Sequence, residues 1–307
     1  MQGVFALSKD FLTYDQQIDL LKSKHLTIED EAVAKFYLKQ YSYYSLISGY
    51  KDIFKLQKNG DYKPDASFNK IHSLYTFDDY LRNLILHEIF RIEKHIKSLY
   101  SYSFCELYGD EQKDFQNVNN YDYKNYQNDI NTFMGKISDT ITHSSDYPYV
   151  DYNIRRHGSV PLWVMINTFT FGTLSKMYMF STNKLQSRIS KEFPNIYPQQ
   201  LSSMLTFLTK FRNVCAHGER LYNYKTRKAI PLLPVHALFP TSRTGGKNDL
   251  FSVLVCFKYL SLEYDFQTFV VTLDQMLKFH EKQLGTTYIT AIMSGMGFPA
   301  NWKDILK

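Results

Sequence analysis

Residues 210–220 combine side chains that could act together on a phosphate group. Arg212 and Asn213 are adjacent, and His217 follows four residues after Asn213, directly before Gly218. In a straight helix Asn213 and His217 share one face, whereas Arg212 lies about 140° around the helix from His217. Because a guanidinium side chain is long enough to span that offset, we predict that Arg212 and His217 reach the same phosphate.

An arginine and a histidine supply the groups needed to cleave RNA without a metal ion. The 2′-hydroxyl must lose a proton as it attacks the neighbouring phosphorus, and the 5′-oxygen must gain a proton as it leaves. Histidine titrates near neutral pH and can serve either step, while arginine donates to the phosphate oxygens. Asn213 is predicted to orient His217 or Arg212. Since one histidine transfers one proton at a time, a symmetric homodimer with two copies of His217 would supply both acid and base.

Cationic and aromatic residues around this motif predict an RNA-binding surface. Between residues 210 and 228 the sequence has one acidic residue, Glu219. The side chains predicted to bind RNA are Lys210, Arg220, Tyr222, Lys225, Arg227 and Lys228. Cations bind phosphates, and tyrosine rings stack on bases. A solvated basic helix end that complements the helix dipole is the alternative interpretation.

Two other charged groups leave alternatives open. Arg91 and Glu93 lie within a long predicted helix, where a structural ion pair is favoured over a role for Glu93 in bracing the Arg-His motif. The Arg-Arg-His sequence at residues 155–157 is expected in a loop beside Gly158. It fits a loop that grips RNA and an ordinary exposed basic loop equally well.

The sequence predicts no metal ion and no cofactor. His87 and His95 are eight residues apart without an H-E-x-x-H motif, and no phosphate-binding Walker loop or dinucleotide fingerprint is present. The three cysteines, Cys105, Cys215 and Cys256, are far apart. They are predicted to be buried reduced thiols rather than disulfides or zinc ligands.

The spacing of apolar residues predicts an all-α protein in the form of a helical bundle. Residues 67–108 form the longest periodic segment, a predicted bundle spine that ends at Gly109. A capping box at Thr13 predicts a first helix through Lys24. Further helices are predicted over residues 30–40, 121–141, 161–180, 183–193, 198–222, 251–259 and 264–284, with a loop over 225–250. The predicted division is an N-terminal helical and aromatic extension, 1–64, and a bundle, 65–307, with a surface insertion at about 110–159.

The net charge of +6 and the isoelectric point near 8.9 favour a polyanionic partner. Residues 1–10 lack a basic stretch followed by a long apolar one, so no signal peptide is predicted. The most apolar segment, 160–171, is too short and too polar to span a membrane. The expected location is therefore the cytoplasm, with no membrane partner.

The motif Arg212-Asn213-(three residues)-His217 resembles that of HEPN ribonucleases, which have an arginine, a polar residue after it and a histidine four to six residues on. The chain also resembles the abortive-infection (Abi) family of the AbiD and AbiF type from about residue 9 to 303. The segments that carry this resemblance include Phe11 to Ile18, Tyr43-Tyr44, Ser48-Gly49-Tyr50, Leu74 to Asp78, Arg91-Ile92-Glu93, Pro161-Leu162-Trp163, Phe171 to Ser175 and Gly297 to Trp302.

The resemblance implies a HEPN-type helical bundle that cleaves RNA as a dimer and acts in phage defence by shutting down an infected cell. It also implies a toxin-antitoxin arrangement in which a small structured regulatory RNA restrains the protein. The predicted activity is that of a metal-independent endoribonuclease that leaves a 2′,3′-cyclic phosphate. Two alternatives are a non-catalytic module that holds a small structured RNA and a protein-binding helical scaffold.

Overall fold

The computed structural model describes residues 11–56, 60–239 and 247–307. The sequence prediction for residues 1–10, and residues 240–246 of the predicted loop, lie outside this part of the chain. The α-helices are α1 Tyr14–Ser23, α2 Glu31–Tyr41, α3 Phe68–Tyr108, α4 Gln112–Phe115, α5 Tyr123–Thr142, α6 Pro148–His157, α7 Leu162–Met165, α8 Phe171–Met179, α9 Asn183–Ser190, α10 Pro198–Ala216, α11 Leu250–Leu260, α12 Glu263–Leu284, α13 Thr286–Gly295 and α14 Trp302–Leu306. Within the described residues, β-type backbone pairing is limited to isolated bridges. This confirms the all-α prediction.

The chain divides into two compact units. The first contains the described residues up to Leu81 together with Asp274–Met293, and the second contains Arg82–Leu273 and Ser294–Lys307. Every residue of the predicted RNA-cleaving motif belongs to the second unit. The sequence-based division at residue 64 remains a prediction.

The first unit begins as its capping residues predict. The side chain of Thr13 accepts from the backbone N–H of Gln16, and the Gln16 side chain accepts from the N–H of Thr13, which forms the expected capping box of α1. The carboxylate of Asp30 accepts from Val33 N–H at the start of α2. Local sequence therefore determines where both helices begin.

A histidine lies in the interior of the first unit. His280 is 1% exposed, and its Nδ1 lies 3.1 Å from the hydroxyl of Ser73. The ring of Phe77 contacts His280 edge to face. Burial lowers the pKa of His280 to about 4, so the imidazole is neutral at physiological pH.

The second unit is built on helices with wide apolar faces. From Arg82 onward, α3 buries Ile85, Ile89, Ile92 and Ile96, and Gly109 follows its end with φ of +107°. The core of this unit also contains almost all of α11. The predicted spine and its glycine stop are confirmed.

The helix that carries the Arg-His motif is α10, which packs against α8, α9 and α11. It starts at Pro198, where the fixed φ of proline suits the first helical position. Its buried residues recur at three and four positions: Leu201, Met204, Leu205, Phe207, Leu208, Phe211, Val214 and Cys215. Burial of this face holds α10 in place and leaves the opposite face open.

The structure differs from the predicted secondary structure at four places. Residues 161–180 form α7, a 3-10 turn and α8 rather than one helix, because Thr170 is extended (φ −68°, ψ 160°) and caps α8 through Thr173 N–H. The predicted loop at 155–157 is the last turn of α6, which Gly158 ends with φ of +73°. The predicted helix to Tyr222 stops at Ala216, and α13 was not predicted.

The predicted surface insertion is also helical and contributes to the core. It contains α4, α5 and α6, and its buried side chains are Phe115, Tyr121, Ile130, Phe133, Ile137 and Val150. The aromatic rings of Tyr121 and Phe133 both contact Phe180 in the segment after α8. This contact anchors the region to the rest of the second unit.

Candidate functional site

The C-terminal end of α10 is a Schellman turn with His217 as its capping residue. The N–H of Glu219 donates to the carbonyl of Val214 at 3.0 Å, and the N–H of Gly218 donates to that of Cys215 at 3.2 Å. Gly218 adopts φ of +66°, a conformation that glycine accepts without strain. His217 N–H still donates to Asn213 carbonyl at 2.9 Å, so His217 keeps the helical register. The glycine is thus the local reason why the histidine stands at the tip of the helix.

The open face of α10 carries an exposed polar stripe. Its members, at spacings of three and four residues, are Ser203, Thr206, Lys210, Asn213 and His217. Residues at these spacings share one side of a helix. Lys210 and His217 are two turns apart, about 10 Å along the helix axis. The expectation that Asn213 and His217 share a face therefore agrees with the helix observed.

Arg212 lies on the flank of this stripe and is half-buried. Its Nε is enclosed and has no hydrogen-bond partner. Within the described residues, no ion pair joins the Arg212 guanidinium to a carboxylate. A buried polar atom without a partner is costly, and an anion bound to the half-buried guanidinium would offset its charge. The helix carries Arg212 and His217 on different sides of one end, about 140° apart.

Arg82 is a buried residue that the sequence analysis missed. It lies on α3, is 5% exposed, and its Nη1 donates to the backbone carbonyl of Glu219 at 3.3 Å. The bond holds the turn that follows His217 against α3. An arginine next to the apolar stripe of the predicted spine was the available signal, but its partner is 137 residues away in the sequence.

Arg91 and Glu93 have other partners. Arg91 Nη2 lies 3.0 Å from Asp265, and its Nη1 lies 3.7 Å from the buried carboxylate of Glu88. Glu93 pairs with Lys97 at 2.7 Å on the same helix. Among the described residues no hydrogen bond or ion pair joins Arg91 or Glu93 to the Arg-His motif. The contacts are those of structural ion pairs, although Arg91 and Glu93 pair with other residues and not with each other.

The residues predicted to bind RNA divide into exposed and enclosed ones. Lys210, Lys225, Arg227 and Lys228 are exposed, and Arg220 is half-buried. Tyr222 is 5% exposed, so its ring faces are covered in this conformation. The sequence pattern could not separate Tyr222 from its exposed neighbours, because burial depends on how the chain turns after Gly218.

Tyr224 is half-buried, and its ring lies edge-on to Phe211 at 5.1 Å between centroids. Burial raises the pKa of Tyr224, and the nearby carboxylate of Glu219 raises it further. The hydroxyl therefore stays protonated and neutral near physiological pH. It can donate a hydrogen bond to an anion beside α10.

A second basic helix end occurs in α6. A cavity of about 660 Å³ there is lined by Ser145, Pro148, Asp151, Tyr152, Arg155 and Arg156. Arg155 Nε lies 2.9 Å from Asp151 Oδ2, so one of the two arginines has its charge offset by a carboxylate. The one buried residue of α6, Val150, lies near its start, so the basic end carries no buried anchor of its own.

Comparison with protein families gives one match. The model described as Abi-like protein matches residues 36–223, which is more than half of the 307-residue chain. The chain belongs to the Abi-like protein family. Comparison with curated proteins and comparison with solved structures each gave no match.

The region of this Abi-like chain that matches the family model contains the whole Arg-His motif. It runs from within α2 to just beyond the Schellman turn, so Arg82, Arg212 and His217 all lie inside it. Lys225, Arg227 and Lys228 follow its end. The exposed cations therefore belong partly to the matched region and partly to the sequence after it.

Three further properties concern the described residues of this Abi-like chain. They contain no helix that is both long enough and apolar enough to cross a membrane. Nor does this part of the chain bring three or more His, Cys, Asp or Glu side chains together in a group that could hold a metal ion. None of the three cysteines forms a disulfide: Cys215 and Cys256 are buried as predicted, whereas Cys105 is half-buried.

Proposed function

We propose that the chain is a metal-independent endoribonuclease of abortive infection, with Arg212, Asn213 and His217 as its catalytic residues. The observation that carries this proposal is the pairing, at one helix end, of a solvent-facing histidine with a half-buried arginine that has no carboxylate partner among the described residues. A scissile phosphate would supply the missing anion. Membership of the Abi-like family supports a role in shutting down infected cells.

The reaction is an internal phosphoryl transfer. The 2′-oxygen of a ribose attacks the adjacent phosphorus, the bond from phosphorus to the 5′-oxygen breaks, and a 2′,3′-cyclic phosphate forms. His217 takes the proton from the 2′-hydroxyl or gives one to the departing 5′-oxygen. Arg212 donates to the non-bridging oxygens as their charge grows. Asn213, one turn before His217 on the same face, holds the imidazole or the RNA in orientation.

A homodimer would complete this chemistry. Each chain offers one His217, whereas the reaction uses a base for the 2′-hydroxyl and an acid for the 5′-oxygen. A symmetric contact between two copies of the α10 end brings two such histidines to one phosphate. In this proposal the exposed stripe faces the RNA and the partner chain together.

RNA cleavage in EDTA tests the proposal. Purified protein is incubated with single-stranded RNA, and the fragment ends are identified by mass spectrometry. We expect 2′,3′-cyclic phosphate and 5′-hydroxyl ends from the parent and no cleavage by the Arg212→Ala/His217→Ala double variant. The matched control is His143→Ala, because His143 is also an exposed histidine that caps the end of a helix, α5. Cutting by the double variant at the parental rate would refute the assignment.

The second candidate function is a module that holds a small structured RNA without cutting it. The exposed cations Lys210, Lys225, Arg227 and Lys228 favour binding whether or not chemistry follows. RNA that binds with a steep salt dependence and stays intact with both the parent and the double variant would establish this alternative. Toxicity on expression that His217→Ala relieves would argue for the nuclease.

A further inference from the structure

A cavity of about 670 Å³ lies beside the polar stripe of α10, in the second unit. One wall is α10 itself, the other is the segment from Tyr224 to Ala229, and Met179 contributes from α8. The residues that line it are Met179, Ser202, Ser203, Thr206, Phe207, Lys210, Tyr224, Thr226, Arg227, Lys228 and Ala229. Its volume is that of sites that hold a small organic ligand.

The charge of this cavity favours an anion. Its lining includes three cations, Lys210, Arg227 and Lys228, and no carboxylate among the described residues. All three cations are exposed, and in the described part of the chain no ion pair involves them. Their charge is therefore available to a phosphate group.

The remaining lining suits a base and a ribose. Ser203 and Thr206 donate their hydroxyl protons to the helix carbonyls of Gln199 and Ser202, which leaves the oxygens as acceptors. Amino groups of a base and the 2′-hydroxyl of a ribose can donate hydrogen bonds to these oxygens. Phe207 lies on the same wall and is 5% exposed, so it adds an apolar edge rather than an open ring face. A phosphate, a sugar and a base together make a nucleotide.

The wall opposite α10 is held in place by the chain that follows it. Thr226 N–H donates to the carbonyl of Asn248 at 2.9 Å, and the Asn248 side chain donates back to the Thr226 carbonyl at 2.7 Å. Ile230 N–H donates to the carbonyl of Lys247 at 2.7 Å. Because backbone bonds fix this segment, the cavity exists before any ligand binds, which lowers the entropic cost of binding.

We propose that this cavity holds one nucleotide of a single-stranded RNA next to the phosphate that is cut. The phosphate of this bound nucleotide, which is not the one that is cut, lies among Lys210, Arg227 and Lys228. Its base lies on the Phe207 side. The same stripe continues from Lys210 through Asn213 to His217, about 10 Å along α10, so the strand runs from the cavity to the motif. This inference rests on the proposed nuclease function for the direction of the strand, but binding in the cavity can be measured by itself.

The test measures the binding of a fluorescent 2′-fluoro RNA oligonucleotide, which lacks the attacking hydroxyl, by anisotropy over a series of salt concentrations. Ser203→Trp fills the cavity without changing its charge, at an exposed position. Lys210→Ser/Arg227→Ser removes two cations from the lining. The control is Lys191→Ser, which removes one exposed cation that does not line the cavity.

We expect Ser203→Trp to weaken RNA binding about tenfold, the effect of excluding one base from its site, with an unchanged salt slope. The double cation variant should also bind more weakly, and should reduce the slope of log affinity against log salt by about 1.4, since each lost phosphate contact on a single strand removes about 0.7. The Lys191→Ser variant should stay within about twofold of the parent. Parental RNA affinity in Ser203→Trp would overturn the inference.

Binding of adenosine monophosphate shows whether the cavity takes a free nucleotide or a nucleotide within an RNA strand. If it binds the parent more tightly than the oligonucleotide does, and Ser203→Trp abolishes its binding but not that of RNA, the cavity takes a free nucleotide and the RNA subsite is wrong. The nuclease proposal is tested separately by cleavage of unmodified RNA. Loss of cleavage in Arg212→Ala/His217→Ala with full RNA affinity in Ser203→Trp would refute the subsite alone.

Discussion

The C-terminal ends of α6 and α10 carry the same kinds of residue in different surroundings. Each has an arginine, a histidine and then a glycine in the left-handed region, Gly158 in α6 and Gly218 in α10. Arg155 in α6 is exposed and paired with Asp151, whereas Arg212 in α10 is half-buried and has no carboxylate partner in the described part of the chain. One buried residue anchors the 10-residue α6, and eight anchor the 19-residue α10. Composition at a helix end is thus a poor guide to chemistry, and the fixed, uncompensated charge distinguishes α10.

The largest expected effect separates the two histidines. His217→Ala should lower the rate of RNA cleavage about 100- to 10,000-fold, because a positioned acid or base contributes that much to proton transfer. His157→Ala should leave the rate within about twofold, since the proposed reaction does not use His157, whose ring lies edge-on to Tyr152. Single-turnover cleavage of RNA measures both. Equal losses in the two variants would break the comparison.

As for the histidines, replacement of the arginine in α10 should slow RNA cleavage more than replacement of the arginine in α6. Arg212→Ala should lower the cleavage rate about 100- to 1,000-fold, the usual effect of removing one donor to a developing oxyanion. Arg155→Ala removes a charge that Asp151 already offsets, so the rate should change less than about twofold. The comparison requires far-ultraviolet circular dichroism to verify that both variants keep parental helix content. A rate loss in Arg155→Ala as large as that in Arg212→Ala would contradict it.

The buried His280 should affect stability through its protonation, in contrast to the proposed roles of the exposed His157 and His217. Burial lowers the pKa of His280 to about 4, while a histidine in the unfolded chain titrates near 6.5. Between these values the unfolded chain binds more protons, so this contribution to stability is present above about pH 6.5 and is lost as the pH falls toward 4, by about 2–3 kcal/mol.

The measurement compares urea unfolding of the parent and His280→Gln from pH 7 to pH 4.5. The parent should lose more stability than the variant as the pH falls, so the gap between their unfolding free energies should narrow. Parallel pH dependences would show that His280 does not titrate between its folded and unfolded values in this range.

Replacement of Gly158 or Gly218 by alanine should lower stability by the same amount but affect RNA cleavage differently. No atom lies within 4 Å of a Cβ added at Gly158 or Gly218, so an alanine there meets only the strain of positive φ. Each Gly→Ala variant should lose about 1–2 kcal/mol of stability. Only Gly218→Ala should also slow cleavage, because that strain displaces His217. Urea unfolding and cleavage rates check the pair, and the prediction is wrong if Gly158→Ala slows cleavage as much.

The smallest effect concerns the ion pair of α6. Asp151→Asn should cost about 0.3–0.5 kcal/mol, the usual value for an exposed pair four residues apart on a helix. Released from Asp151, Arg155 should raise RNA affinity by less than about twofold. A large gain in affinity would mean that α6 is a second RNA-binding surface that its own carboxylate suppresses.

Local signals in the sequence predicted much of this molecule. Thr13 and Gly109 act through bonds to neighbours within a few residues, so the helix ends that they set were predicted from spacing. The helix end before Gly218 was missed, because the predicted helix ran on to Tyr222. The Arg-Asn-His motif was also found from spacing, since its three residues lie within one helix. The break at Thr170 was missed because its capping signal stands inside an apolar run with helical spacing.

Long-range contacts account for what the sequence could not supply. Arg82 bonds to Glu219 across 137 positions, and the burial of Tyr222 depends on the path of the chain after the Schellman turn. The cavity wall is set by bonds from Thr226 to Asn248, across a segment that was predicted only as a loop. Such partners follow from packing, which spacing alone does not encode.

The continuity of α10 limits how the proposed enzyme could be controlled. Asn213 lies in the last turn of α10 and His217 caps that turn, with its N–H bonded to the Asn213 carbonyl at 2.9 Å, so the two residues already share one side of the helix end. An inhibitor would have to cover the surface or keep two copies from meeting. A structured RNA or a masking protein would therefore act as a shield, and its release would expose residues that are already in place and leave two copies free to meet.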